Sequence, residues 1–331
     1  MEAVAPTRID LAGGTLDIWP IYLMLEEPIT VNMAVGLHVM ARARPTKKGR
    51  FILRSADHGT QEHFSSIEEA VRKSKHRLAA EALRAAPCSG MEVETHSGIP
   101  AGSGLGGSSS LSVALLAAMG GHSAVESMRP ALTILASNME GRVLGIPPGT
   151  QDHLAAAYGG LNAWHYGLMG FRREGLPTDP EWLARRLVLA YTGVAHASAK
   201  NNWRVTRAFL DGDRAVRKGF AEVAAAAHDV RRALLKNDLE GLAAGMDRDS
   251  RARRRLFPGF HNKRTLALDR AARKAGALGG RPCGAGGGGS MVFVLKSVPH
   301  RELVEGALAG MGARILPVVP DLKGVRVRRL D

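Results

Sequence analysis

"PAGSGLGGSSS", Pro100–Ser110, holds four glycines and four serines and runs without a break into "LSVALLAAM". Glycine tolerates positive φ and lets bulky ligand groups approach the main-chain N–H groups. The apolar run predicts a buried helix over 108–119. The first N–H groups of a helix are unpaired and lie at the positive end of its dipole. A glycine-stripped loop ending on a helix start is therefore an anion site, above all for phosphate. The competing reading is a structural loop where strand and helix pack closely.

Two stretches fit the G-x-G-x-x-G spacing, Gly102 to Gly107 and Gly284 to Gly289. The dinucleotide fingerprint also needs an opening strand of a βαβ unit and an acidic residue about 20 positions on. Glu126 lies in a polar stretch, "MGGHSAVESMRP", and fits that role poorly. A Walker loop needs a lysine before its Ser or Thr, and no lysine occurs between Lys75 and Lys200. P-loop NTPases and eukaryotic-type protein kinases are excluded on that count.

A polyphosphate held without a loop lysine needs a metal, and Mg²⁺ takes hydroxyl, carboxylate and phosphate oxygens. Ser108, Ser109 and Ser110 supply hydroxyls at the helix start, and Glu140 and Asp152 are the first plausible carboxylates downstream. Glu140 reads equally as a solvated helix residue, and Asp152 as an N-cap before "HLAAAY".

The 331 residues suffice for one large domain or two ordinary ones. Aromatics make up only 5%, so Ala, Val, Leu and Gly must do most of the packing. The chain has no apolar run long enough for a bilayer, and "MEAVAPTRID" lacks a signal-peptide core. Cys88 and Cys283 are too few for a disulfide framework or zinc site, so a reducing cytoplasm is expected. The net charge of +14 favours anionic partners. Its clusters, Arg42–Arg50, Arg251–Arg255 and Arg326–Arg329, read as solvated basic surface. They lack the interleaved aromatics of a nucleic-acid binder, so neither nucleic acid nor membrane is expected.

Val- and Ile-rich stretches within 1–56 predict strands, 67–86 a helix, and "GMEVETHSGIP" a strand entering the loop. "ALTILASNMEGRVLG" predicts a helix stopped by Gly145 and Pro147-Pro148, with a hairpin-like stretch after the "GTQDH" segment. Beyond a change of texture near 180 come one strand, four helices over about 197–275, a second glycine cluster, a helix at 300–311 and two short strands. The expected organisation is α+β in two lobes, 1–180 and 181–331.

Three segments together resemble the GHMP small-molecule kinases: "APTRIDLAGGTLDIWP", "PAGSGLGGSSSLSVALL" and "RPCGAGGGGSMVFVL", in family order and at family-like separations. The resemblance implies an N-terminal lobe like ribosomal protein S5 domain 2, a C-terminal ferredoxin-like lobe, and ATP-dependent phosphorylation of a hydroxyl between them. It places Pro100, Gly102, Ser103, Gly104, Leu105, Gly106, Gly107, Ser108 and Ser109 around the ATP phosphates. Ser108 and Glu140 match metal ligands for Mg²⁺, Asp152 the catalytic aspartate, and Arg8 the basic residue that contacts it. Asp17 matches an acidic residue that binds sugar hydroxyls, and Gly14, Gly286 and Gly287 fall in motifs expected to border the substrate. One departure stands out: Gly107 occupies the position of a usual serine. Cys283 replaces another serine in the third motif.

"AGGTLDIWPIY", "GTQDHLAAAYGGLNAWHY", "AYTGVAHASAKNNW" and "RLFPGF" most resemble the D-glycero-D-manno-heptose 7-phosphate kinases. That branch implies an acceptor already bearing a phosphate, phosphorylated at its anomeric hydroxyl. His196, Lys200 and Arg204 share a helical spacing that could present three cations to that phosphate, or form a solvated first turn. Thr192 and Gly193 would contact the sugar. The alternatives are a kinase for a free sugar of galactose, fucose or uronic acid type, and a galactokinase-like sensor that binds ATP and sugar without turnover. Asp152 and Glu140 are both present, so only Gly107 favours the sensor.

Overall fold

Residues of Glu2–Ala12 are buried on both faces, as in a central strand covered on two sides. A computed structural model describes residues 1–86, 88–195 and 199–330, with the side chains at 124 and 199–202 outside the description. The strands are β1 (Glu2–Ala12), β2 (Ile29–Pro45), β3 (Phe51–Ser55), β4 (Thr60–Phe64), β5 (Met91–Ser97), β6 (Leu161–Gly167), β7 (Gly170–Gly175), β8 (Leu187–Tyr191), β9 (Ala277–Pro282), β10 (Ser290–Leu295), β11 (Arg314–Leu316) and β12 (Arg326–Arg328). The helices are α1 (Ile67–Lys73), α2 (Arg77–Ala85), α3 (Gly107–Glu126), α4 (Arg129–Leu144), α5 (Gln151–Tyr158), α6 (Pro180–Ala184), α7 (Ala199–Leu210), α8 (Arg214–Leu235), α9 (Leu239–Leu256), α10 (Lys263–Lys274) and α11 (Arg301–Gly310).

Eight strands form one sheet in the order β12-β1-β2-β5-β3-β4, with β6 on β2 and β7 on β6. The long β2 is shared: its first half pairs β6 and its second half β5, while β1 follows both. Bulges in β1 at Pro6/Thr7 and Asp10/Ala12 keep this pairing in step, and Pro6 sits at one of them. A core of Ala3, Val39, Leu83, Val113 and Leu116 joins this sheet to α2 and α3.

The second sheet runs β11-β8-β10-β9, entirely antiparallel. Numbered within its lobe this is the order four-one-three-two of a ferredoxin-like sheet. Side chains alternate as a strand requires. Leu187, Leu189, Val292 and Val294 face Ala243 and Met246 of α9, while Val188, Ala190, Met291 and Phe293 face Leu268 of α10 and Leu308 of α11. Ile9 and Leu11 of β1 belong to the former cluster, so one core runs under both sheets.

The two-lobed α+β expectation therefore holds, with three local differences. The helix over 67–86 is two helices. Glu62 of β4 accepts the Ser74 hydroxyl at 2.5 Å and the Lys75 N–H at 3.1 Å, drawing the chain out of helix there. The helix over 108–119 extends through Glu126 with a kink at Gly121. Within Arg251–Arg255, Arg253 is 1% exposed and not part of a solvated surface. No helix among the described residues is long and apolar enough to cross a membrane.

Candidate active site

Arg8 and Asp10 lie two apart on β1 and so share a face, opposite Ile9 and Leu11. That face opens into a cleft of about 480 Å³. Pro100–Gly104, Gly106–Ser109, Gly14, Asp17, Glu140 and Asp152 line it too. Leu105 turns inward to the core, and its carbonyl accepts the Arg8 N–H at 3.1 Å.

The loop before α3 is shaped by close contacts. Gly106 takes φ 78 as the residue preceding α3, and a Cβ there would lie 3.1 Å from the Asp152 carboxylate. No side chain caps α3, so the unpaired N–H groups of its first turn remain for a ligand. At Gly107 a Cβ would meet Ile99 Cδ1 at 2.6 Å. The Ile99 methyl thus fills the space that a serine side chain would need.

Arg8 donates through Nε to Asp152 Oδ1 and through Nη1 to the Gly104 carbonyl, at 2.7 Å each. Burial works against the Arg8 charge, but Asp152 and Asp10 outweigh it and hold the guanidinium above its ordinary value. Asp152 sits in the first turn of α5 with Thr150 at the cap position, so it is not the N-cap that its sequence context also allowed.

Asp17 is 1% exposed. Its Oδ2 accepts the Gln151 N–H at 2.8 Å, while its Oδ1 has no hydrogen-bond partner. Gly149 approaches its carboxylate so closely that no side chain would fit there. Burial pushes Asp17 up to about 6, opposed by the Gln151 N–H and helped by the nearby charge of Asp152.

Glu140 is buried at the end of α4, not solvated. Its Oε2 accepts the Ser109 hydroxyl at 2.7 Å and lies 2.8 Å from His153 Nε2. Burial alone would raise its pKa, but His153 and the Ser108 and Ser109 hydroxyls hold it below the usual range. The Ser108 hydroxyl and an ionised Glu140 beside the glycine-rich loop make an all-oxygen donor set suited to Mg²⁺.

The other expected positions lie apart. Gly286 packs against Phe260, and the Gly287 N–H donates to the Phe260 carbonyl at 2.9 Å; neither lines the cleft. Their loop instead braces the first one: a Cβ on Gly289 would lie 2.8 Å from the Ser103 carbonyl. Thr192 is buried, its N–H bonded to the Gly289 carbonyl. Gly193 and Arg204 are exposed, and none of these three lines the cleft. His196 and the Lys200 side chain lie outside the described residues.

Several site residues escape a reading of motifs. Arg253 lines the cleft from α9 and donates to the carbonyls of Gly14 and of Gly284, the latter at 3.1 Å. Behind it Arg281 bonds Asp10 at 3.2 Å and approaches Asp249 Oδ2 at 3.1 Å, while Arg253 Nε lies 3.3 Å from the same oxygen. The signal was periodicity: Leu242, Met246, Asp249, Arg253 and Leu256 fall on one buried stripe of α9. His153 shares a helical turn with Asp152, and its charge pairing shows only in three dimensions.

Residues 69–160 match the GHMP kinases N terminal domain. The chain is 26% identical over 315 residues to the D-glycero-alpha-D-manno-heptose 7-phosphate kinase of Campylobacter jejuni, covering 91% of each. It is 31% identical over 236 residues to a probable glucuronokinase 2 of Arabidopsis thaliana, covering 66% of this chain and 61% of that one. Its fold matches the crystal structure of a D-glycero-D-manno-heptose 1-phosphate kinase from Bacteriodes thetaiotaomicron, with TM-score 0.75 and 23% identity over 100% and 99% of the chains.

Proposed function

The chain is a sugar kinase of the GHMP family, and from that premise we propose that it transfers the γ-phosphate of ATP to the anomeric hydroxyl of a phosphosugar, D-glycero-D-manno-heptose 7-phosphate being the first candidate. The observation that carries this reading is one cleft in which the glycine loop, the Glu140 carboxylate and the Arg8–Asp152 pair converge. The heptose kinase relative that spans 91% of the chain supports the acceptor.

The triphosphate would lie along Gly102–Ser109, its charge met by the N–H groups that open α3. The apolar end of the cleft, with Val39, Leu78, Ile99 and Leu111, suits the adenine. Ser108 and Glu140 would hold Mg²⁺, which neutralises phosphate charge when bound. Asp152 accepts the proton of the acceptor hydroxyl, or orients it, within reach of the γ-phosphorus. Arg8 hydrogen-bonds the carboxylate and fixes it relative to the loop. Asp17, with an unpartnered oxygen, accepts sugar hydroxyls and positions the ring. His196, Lys200 and Arg204 are proposed to grip the acceptor's own phosphate, with Thr192 and Gly193 next to them.

A free uronic acid is the second reading, supported by the 31% identity to the glucuronokinase. Both readings place the reaction in the cytoplasm. An ADP-release assay over heptose 7-phosphate, galactose, fucose and glucuronate, run with Asp152→Asn alongside, decides between them. Faster turnover of heptose 7-phosphate supports the phosphosugar. Equal or faster turnover of a free sugar rejects it, and wild-type turnover in the variant rejects the role of Asp152.

A further inference from the structure

Behind the turn that carries Asp152 lies a second cavity, about 990 Å³ in volume and larger than the cleft. Ile146, Pro147 and Pro148 wall both cavities. In a chain only 5% aromatic, three of the four tyrosines, Tyr22, Tyr158 and Tyr166, converge on this one space, with Trp19 and Phe171 beside them. Trp19 is 59% exposed and Met169 98% exposed at its rim, which is unusual for side chains of that size.

The charge around this aromatic wall is one-sided. Arg129 and Arg173 lie over the Tyr158 ring, with guanidinium carbons 5.4 and 5.5 Å from its centroid. Arg173 donates to the Asn162 side chain and to the Gly159 carbonyl, and Arg129 to the Val125 carbonyl. Among the described residues neither has a carboxylate partner. Partial burial and the charge of Arg129 lower the pKa of Arg173, so two cations compete for one ring. Arg142, also lining the cavity, reaches only Glu81 at 3.6 Å, a carboxylate already bonded to Arg84.

We infer that this cavity is a second small-molecule site, separate from the catalytic cleft, for a ligand with a flat apolar body and a phosphate, sulfate or carboxylate group. The body lies against the tyrosines and Phe171, and the anion meets Arg173, whose guanidinium lies over the Tyr158 ring. A second copy of the chain is the poorer occupant. A two-fold contact centred here would bring two uncompensated basic patches together.

Isothermal titration of the full chain with 1-naphthyl phosphate, in saturating ADP and Mg²⁺ to fill the cleft, tests the site. One molecule should bind per chain. Arg173→Met should weaken binding by about tenfold, and neutral 1-naphthol should bind more weakly by a similar factor. Loss of the heat when ADP is present would overturn the inference, because the probe would then be using the cleft. So would unchanged affinity in Arg173→Met, with equal binding of 1-naphthol and 1-naphthyl phosphate to the wild type deciding if that variant fails to fold. A stoichiometry of one per two chains, or sedimentation as a dimer from which the probe is excluded, would assign the surface to a second copy instead.

Discussion

The Arg8 guanidinium spans Asp152 and the Gly104 carbonyl, 2.7 Å from each. One planar side chain thus sets the distance between the Asp152 carboxylate and the glycine-rich loop. Lysine's compact ammonium on a flexible stem lacks the planar fork that holds both partners in this fixed geometry. Arg8→Lys should lower kcat by roughly 10- to 100-fold, and Asp152→Asn by about 10²- to 10⁴-fold. Calorimetric ADP affinity should stay near wild type in Asp152→Asn, and a parallel loss of nucleotide binding would place the defect in folding and not in chemistry.

Asp17 links protonation to stability with a definite sign. Its pKa rises from 3.8 to about 6 on folding. Its contribution to stability is therefore complete below 3.8 and lost as pH climbs through about 6, after which the buried charge costs roughly 3 kcal/mol. Asp17→Asn should melt higher than wild type at pH 8, with the gap narrowing toward pH 5, and its acceptor KM should rise. Equal melting temperatures at pH 8 would show that Asp17 is not under this strain.

Gly107 and Ile99 form a coupled pair, since a Cβ at 107 meets Ile99 Cδ1 at 2.6 Å. Gly107→Ser alone forces Ile99 out of the apolar end of the cleft and should raise the ATP KM several-fold. Gly107→Ser with Ile99→Ala should recover part of that loss, a coupling of about 1 kcal/mol. Additive effects in the double-mutant cycle would mean that Ile99 does not govern the position.

Arg253 shares buried Asp249 with Arg281 and ties Gly14 to Gly284. Removing its charge leaves buried carboxylates short of a partner. Arg253→Met should cost roughly 3–5 kcal/mol in urea unfolding, far more than Arg254→Met on the exposed side of the same turn. Similar midpoints for both variants would contradict the burial.

Much of the architecture follows from local pattern, because β1, β2, β5 and the four helices of the second lobe announce themselves by period and by breakers such as Gly145. The exceptions are contacts from afar. Glu62 splits the helix at Ser74 from another strand. Cleft residues within contiguous motifs, such as Arg8, Gly106 and Asp152, could be named from sequence because each short motif sits on one element that borders the cleft. His153 could not, since Glu140 lies on α4, and Arg253 showed only the periodicity of a buried stripe, since its contacts at Asp10, Gly14 and Gly284 are joined to α9 only by folding. The third motif misled for the opposite reason: Gly286 and Gly287 resemble ligand-binding glycines, yet their missing side chains make room for Phe260 and neighbouring backbone.

The pairing of β12 with β1, register Glu2↔Arg328, closes the edge of the strand that bears Arg8 and Asp10. Arg328 Nε also lies 2.5 Å from Glu2, a carboxylate only 3% exposed. β1 therefore waits for a strand that lies far along the chain, at Arg326–Arg328. A nascent chain, however far its N-terminal lobe has condensed, carries an open sheet edge at Glu2–Val4 until Arg326–Arg328 emerge. Stalled or C-terminally clipped chains should expose that edge to chaperones and to one another.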